Sequence, residues 1–364
     1  MRLLPTLSLY LTRQFLLSFA AIMLGLTVLV FVFEAVELLR RATSKSQVPI
    51  TFVLQLAVLK LPATVQKMLP FAVLFGAMAT FVRLTRSSEL VVARSAGVSA
   101  WQFLLPTLVG GGLIGMLALG AFNPLAAAMA SNYESLEAKF LRGRASLLAV
   151  SSTGFWLRQA DPQGQSVIHA LRVSQQGVEL YDVIVFLYEG QDKFVGRVDA
   201  RSARLEAGAW HLSDALITAP DRPPLRRAEH RLDTTLTLSQ IQDSFASPQT
   251  LSFWALPRFI ETLENAGFSA LRHRLHWHSL LSLPLLLIAM ILIAASFSLR
   301  LTRRGGTGLL IAGGAVVGFV FFFFSDVVLA LGQSGSLPVP LAAWTPAGVM
   351  LLVGIATVLH LEDG

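Results

Sequence analysis

Phe15-Leu-Leu-Ser-Phe-Ala-Ala-Ile-Met-Leu-Gly-Leu-Thr-Val-Leu-Val-Phe-Val-Phe33 holds no charged residue from end to end. An α-helix rises 1.5 Å per residue, so a run of about this length crosses the roughly 30 Å hydrocarbon core of a bilayer. Runs of the same kind recur at Trp101 to Phe122, Ser279 to Leu299 and Gly305 to Ser325. Counting outward from them divides the chain into six spans, about Leu11 to Phe33, Leu61 to Val82, Trp101 to Phe122, Ser279 to Leu299, Thr307 to Leu329 and Leu341 to Leu359. The second is the least regular, because Lys67, Pro62 and Pro70 fall inside it. Ile50 to Leu59 before it either lengthens the helix or lies along the interface.

Composition agrees with a membrane solvent. The 364 residues are 54% hydrophobic and only 14% charged, with mean hydropathy +0.62. So few charges cannot cover a soluble protein of this size, which excludes a soluble enzyme, a DNA-binding factor and a disordered chain. The net charge of +7 sits mainly beside the apolar runs, where a membrane accounts for it better than nucleic acid. There is no cysteine, hence no disulfide, thiolate metal site or Cys nucleophile. The first run is longer than a signal-peptide core and is followed by Glu34 to Arg41 without a small-residue cleavage pattern, so it reads as a retained anchor.

Six spans put both termini on one side, and the arginines of the short loops choose the side. Arg2 and Arg13, Arg83, Arg86 and Arg94, and Arg300, Arg303 and Arg304 share one face, while Gly332 to Pro340 on the other is uncharged. Both termini are therefore expected in the cytoplasm. Arg40, Arg41 and Lys45 break the rule by following the first span.

The only long polar stretch, roughly Ala130 to Arg274, falls between spans three and four and is expected outside the cytoplasmic membrane. Val178 to Tyr188 is a β-branched and aromatic run, and Leu232, Thr234, Leu236 and Leu238 alternate with polar residues. Breaks at Asp161 to Gly164, Gln176-Gly177, Glu189-Gly190, Ala207-Gly208 and Pro220 to Pro224 cut the region into six or seven strands, as in an antiparallel sandwich or open barrel. Val183, Val185 and Leu187 are expected to point inward. Trp254 to Ala266 reads as a helix closed by Gly267. The expected fold is membrane α-helical, with six transmembrane helices and an inserted all-β domain. Residues 1–129 hold spans one to three, 130–250 the β domain, and 251–364 the connecting helix and spans four to six.

The turn between spans two and three is the most informative short segment. Ser87 or Ser88 can cap a helix whose first turn holds Glu89, Gly97 ends it, and Ser99 with Gln102 forms a capping-box pattern opening span three. The helix would lie across the membrane face, displaying Leu90, Val91 and Val92 beside Glu89 and Arg94. It serves either as a connector dipping into the headgroups or as a coupling helix that inserts into a cytoplasmic partner.

Ser87-Ser-Glu-Leu-Val-Val-Ala-Arg-Ser-Ala-Gly97, Leu69-Pro-Phe-Ala-Val-Leu-Phe-Gly76, Ala200 to Leu212 with its Trp210-His-Leu pattern, and Arg274 to Leu299 together resemble the lipopolysaccharide-export permeases LptF and LptG. The resemblance covers essentially the whole chain in order. Tyr10-Leu-Thr-Arg-Gln-Phe15 and the stretch Leu329 to Leu341 before Trp344 look more like the LptG branch. The resemblance implies a permease with a periplasmic β-jellyroll, an LptF-like sister permease, two copies of the cytoplasmic ATPase LptB and a single-span LptC-like bridge subunit. Its implied cargo is lipopolysaccharide, moved from the inner membrane toward the outer one. It also makes 87–97 the coupling helix, with Glu89 meeting a basic group of the ATPase. ATP and Mg would be bound by that partner, and this chain has no Gly-x-x-x-x-Gly-Lys-Ser/Thr loop. No cofactor, metal or catalytic residue is expected in the chain itself, nor any nucleic-acid partner.

Arg40, Arg41 and Lys45 read either as snorkelling anchors or as ligands of lipid A phosphates, where guanidinium gives paired, charge-assisted hydrogen bonds. Lys67 is an anchor or a substrate contact. Asp326 departs from the family's neutral polar residue and either pairs with a cation or stays hydrated. If spans one and five line a lateral gate, as the family architecture implies, Phe31, Phe33, Phe319, Phe322 and Phe323 are acyl-chain contacts rather than lipid-facing filler. Gly111 with Gly115, and Gly314 with Gly318, allow close helix approach. His273, His276 and His278 lack the carboxylate or Cys that would complete a metal set. Two other functions compete: an envelope enzyme acting on lipid-linked sugars, for which the loops offer no acidic motif, and a lipoprotein-release-type permease, whose large domain follows its first span.

Overall fold

The computed structural model describes residues 5–43, 49–137, 148–151, 154–161, 164–173, 179–189, 193–206, 208–220, 222–234, 247–265, 269–298 and 307–363. Its order is α1 Pro5–Thr43, α2 Ile50–Arg86, α3 Glu89–Ser95 and α4 Ala100–Leu117, then a π-helical turn Ala118–Phe122 leading into α5 Asn123–Glu137. Strands β1 Leu148–Ser151, β2 Gly154–Asp161, β3 Gly164–Val173, β4 Glu179–Glu189, β5 Lys193–Glu206, β6 Ala209–Ala219 and β7 Arg222–Asp233 follow. The chain closes with α6 Leu256–Asn265, α7 Leu271–Ser298, α8 Thr307–Gln333 and α9 Val339–Asp363. Two compact units result.

The first unit, Met1–Leu141 with Gln249–Trp254 and Arg274–Gly364, is mainly helical among the described residues, and six of the helices described are long and apolar enough to cross a membrane. α2 and α7 are the most buried of these. Val73, Ala77 and Phe81 of α2 share one core with Leu287, Ile291 and Ala294 of α7. The expected glycine contacts are present. A Cβ on Gly115 would lie 2.5 Å from the Pro284 Cα, so α4 and α7 touch only because the side chain is hydrogen. Gly314 and Gly318 of α8 likewise face Met78, Leu74 and Phe71 of α2, whereas Gly76 of the same helix faces Phe19 of α1. At 100° per residue those two sets occupy opposite sides of α2. α2 therefore stands between α1 and α8, the least buried spans of the unit.

Three spans outrun the bilayer. α1 has 39 residues, α2 has 37 and the α4–α5 run has 38, which at 1.5 Å each is roughly 55 Å. Ile50 to Leu59 is thus an extension of α2. Pro62 and Pro70 stay inside the helix, as neighbouring helices permit in membrane proteins. The surplus turns form their own small core from Ala35 and Leu38 of α1, Val53, Leu56 and Ala57 of α2, and Tyr133 of α5.

The π-helical turn has a local cause. Pro124 carries no N–H for the Gly120 carbonyl four residues back, and the Trp254 indole supplies the missing donor at 3.2 Å. Asn123 completes the joint, its oxygen accepting the Phe253 N–H at 2.7 Å and its nitrogen donating to Gln66 Oε1 at 3.4 Å.

The second unit comprises Arg142–Pro248 and Ala255–His273. Its seven strands pair antiparallel in strict sequence order, so among the described residues the sheet is a meander without crossover connections. Aligned rungs such as Ala170, Val183 and Ala200, or Ile168, Val185 and Val198, form its buried face. Val183 and Val185 point inward as expected, and Leu187 is half-buried beside a β-bulge. Gly208, at φ 83°, makes the turn between β5 and β6. Pro223 and Pro224 lie within β7 instead of interrupting the sheet, because β7 is an edge strand of the described sheet and needs no second row of donors. Residues 235–246, including part of the expected Leu232 to Leu238 alternation, and Gly267 lie outside the described residues. α6 buries Leu256, Ile260 and Leu263 and belongs to this unit, whereas the sequence groups it with the last three spans.

Asp214 adopts φ 54° within β6 and accepts two bonds from Arg226 of β7, at 2.8 and 2.9 Å. That pairing holds its carboxyl below the usual carboxylate range. Lys193 does the same to Glu189, and burial followed by Arg227 pushes His230 down. A group whose folded pKa lies below its unfolded one leaves the unfolded chain binding more protons, so stability falls as pH falls. Amide protection across β6 and β7 in the full chain is expected to decline through the carboxylate range. Asp214→Asn should flatten that part of the profile; an unchanged profile would assign the decline elsewhere.

Candidate functional site

At one end of the helical unit, α2 stops at Ser87, and Ser88 turns the chain through φ 61°. The Ser88 carbonyl accepts the Val92 N–H at 3.1 Å and so begins α3 by its backbone. The Ser87 hydroxyl lies 2.8 Å from Glu89 Oε1. Gly97, at φ 82°, ends the segment with Val98 N–H reaching back to the Ala93 carbonyl at 3.1 Å. Ser99 and Gln102 then form the expected reciprocal capping box.

The expected display on α3 requires one correction. Leu90 is 3% exposed and anchors the helix in the core with Leu11, Leu84 and Phe103, since a seven-residue helix needs at least one apolar side chain to hold it. Val91 and Val92, at 46% and 66%, are the exposed pair. With half-buried Glu89 they form an apolar patch beside a carboxylate. Arg94 lies within α3.

At the far ends of α1, α2 and α5, the basic residues are already engaged. Arg40 Nε and Nη2 donate to Glu37 at 3.0 and 3.1 Å, and Arg41 Nε donates to the same carboxylate at 2.8 Å. Arg41 also stands 3.8 Å from Glu137, which accepts the Tyr133 hydroxyl at 3.2 Å. Deeper in, Lys60 pairs with Glu34 at 2.7 Å and lies 5.8 Å from the Tyr133 ring centroid, and the Thr64 hydroxyl approaches Glu34 at 3.3 Å. The two arginines therefore belong to a balanced network rather than a bare cationic rim. Glu34, Glu37, Lys60 and Glu137 were not singled out by the sequence. Lys67 and Asp326 are exposed, and neither has an ion-pair partner among the described residues. Lys45 lies outside the described residues.

The expected gate aromatics divide. Phe31 packs against the small core at the helix ends. Phe33, Phe319 and Phe323 are exposed, and Phe322 rests 5.9 Å from the Phe71 ring. Because α2 separates α1 from α8, these faces do not meet within the chain. Each is left as an apolar surface.

The profile of lipopolysaccharide export system permease LptF/LptG matches residues 9–360. The chain belongs to the LptF/LptG family. The lipopolysaccharide export system permease protein LptG of Escherichia coli K12 is 26% identical over 306 residues, covering 82% of either chain. LptG of Haemophilus influenzae is 24% identical over 288 residues, covering 76% of either chain. This LptF/LptG chain is thus a multi-pass permease of lipopolysaccharide export, and the relatives agree with the LptG branch to which its terminal segments point.

Proposed function

We propose that the chain is the LptG-type membrane subunit of an ATP-driven exporter that takes lipopolysaccharide from the inner membrane to a periplasmic bridge. In this reading both termini and α3 are cytoplasmic and the sheet is periplasmic. An LptF-like sister permease covers the exposed faces of α1 and α8, two LptB ATPases bind ATP and Mg, and a single-span LptC-like subunit completes the bridge. The chain does no catalysis. Arg40 and Arg41 meet lipid phosphate, with Lys45 and Lys67 as further cations, and Phe33, Phe319 and Phe323 meet acyl chains.

The observation that carries the proposal is α3: a short helix ended by Gly97 at φ 82° and anchored by Leu90, with Val91, Val92 and Glu89 left for a partner. An apolar patch with one oriented charge suits a helix-in-groove contact. The test is purification of the chain in mild detergent with mass spectrometry of what stays bound. A second six-span permease and a soluble ATPase are expected, and the complex should release lipopolysaccharide from proteoliposomes only with ATP. Recovery of the chain alone, under conditions that preserve other membrane complexes, would sink the proposal. The absence of cysteine allows a check of sidedness. Val91→Cys should react with an impermeant thiol reagent only from the cytoplasmic face, and Ser336→Cys only from the periplasmic face.

A further inference from the structure

We infer that Glu37 is an internal stand-in for lipid phosphate, setting the threshold that a lipid must exceed to occupy Arg40 and Arg41. The inference rests on the proposed phosphate contact of those arginines and deepens it. One carboxylate serves both guanidinium groups, with both Nε atoms and one terminal nitrogen donating to it. It sits one turn back on the same helix, so it is always at hand, and a lipid phosphate must displace it. The apparent affinity for any anionic lipid is then the intrinsic affinity scaled by the fraction of time Glu37 has let go.

Position decides which part of the network can exchange. The Arg40 side chain is 77% exposed and Arg41 51%, against 14% for Glu34. Lys60 is further held by Glu34 and the Tyr133 ring. The Lys60–Glu34 pair is therefore structural, while the arginine–Glu37 contact faces outward and can open. Exposed ion pairs within a helix are weak, so this one yields to a stronger anion. A phosphomonoester carries a charge near −2 and three acceptor oxygens, more than a carboxylate or a phosphodiester offers. The consequence is selectivity by threshold. Abundant monoanionic phospholipids leave the arginines on Glu37, whereas a lipid bearing phosphomonoesters takes them.

The test uses the purified exporter complex in phosphatidylcholine nanodiscs, titrated with bisphosphorylated lipid A and separately with phosphatidylglycerol. Glu37→Gln should tighten the apparent Kd for lipid A about fivefold. The same change should make phosphatidylglycerol binding measurable. Glu37→Asp, too short to bridge both arginines, should fall between. Adding Glu37→Gln to Arg40→Gln/Arg41→Gln should produce no tightening. If Glu37→Gln leaves binding unchanged or weakens it while the arginine double variant loses lipid A, Glu37 only orients the arginines and the inference is wrong. If the arginine double variant binds lipid A like the parent, the phosphate contact itself fails, a separate result.

Discussion

Glu89→Arg is expected to strip the ATPase from the purified complex and to abolish ATP-dependent release of lipopolysaccharide, while the sister permease remains bound. Glu89 stands in the first turn of α3, held by the Ser87 hydroxyl at 2.8 Å. Its carboxylate is thus oriented before a partner arrives, which reduces the ordering cost of binding. Reversing a charge that meets an opposite charge replaces attraction with repulsion and costs about 3 kcal/mol or more, a loss above a hundredfold in affinity. An arginine in the first turn also opposes the helix dipole, a smaller effect of about 0.5 kcal/mol. Ser87→Ala separates orientation from charge, since it keeps the carboxylate and removes the hydroxyl 2.8 Å from it. Its expected loss is modest, about threefold to fivefold, comparable to one hydrogen bond. Quantitative mass spectrometry of ATPase recovered per permease checks both variants. Equal recovery from Glu89→Arg and the parent would remove Glu89 from the contact.

How much of this was legible follows from the range of each interaction. The spans could be counted because the bilayer sets their length, and the contacts of Gly115 and Gly314 could be anticipated because close approach leaves a four-residue pattern. The Ser99 and Gln102 capping box is local and was visible for the same reason. Leu90 was misplaced because three consecutive apolar residues in a short helix do not show which one faces the core; that depends on Leu11 and Phe103 from other helices. The Glu34–Lys60 pair was not visible, because the two residues are 26 positions apart and nothing in either helix alone pairs them. The Glu37 contacts were within reach, since spacings of three and four residues to Arg40 and Arg41 are the ordinary helical pairings. The π-helical turn also had a signal, a proline at 124 depriving a carbonyl inside an apolar run. Its indole donor from Trp254 was not predictable from spacing.

Lys60→Met should destabilise the helical unit by about 3 kcal/mol, the cost of leaving a buried carboxylate without its cation. The Glu34 side chain is only 14% exposed and, among the described residues, has just the Thr64 hydroxyl besides Lys60. Methionine keeps most of the aliphatic length of lysine, so the change removes the ammonium, with its contact to Glu34 and its place 5.8 Å from the Tyr133 ring, and little of the stem. The pair itself need not contribute much net stability, because removing two charges from water offsets most of their attraction. The double variant Glu34→Gln/Lys60→Met is therefore expected to recover most of the loss, with a coupling of 2 kcal/mol or so between the sites. Thermal unfolding of the full chain in detergent reads both variants, and equal destabilisation by the single and double changes would rule out an ion-pair role. Recovery by the double variant would instead show that each charge matters only through the other, the pair being a matched contact between α1 and α2.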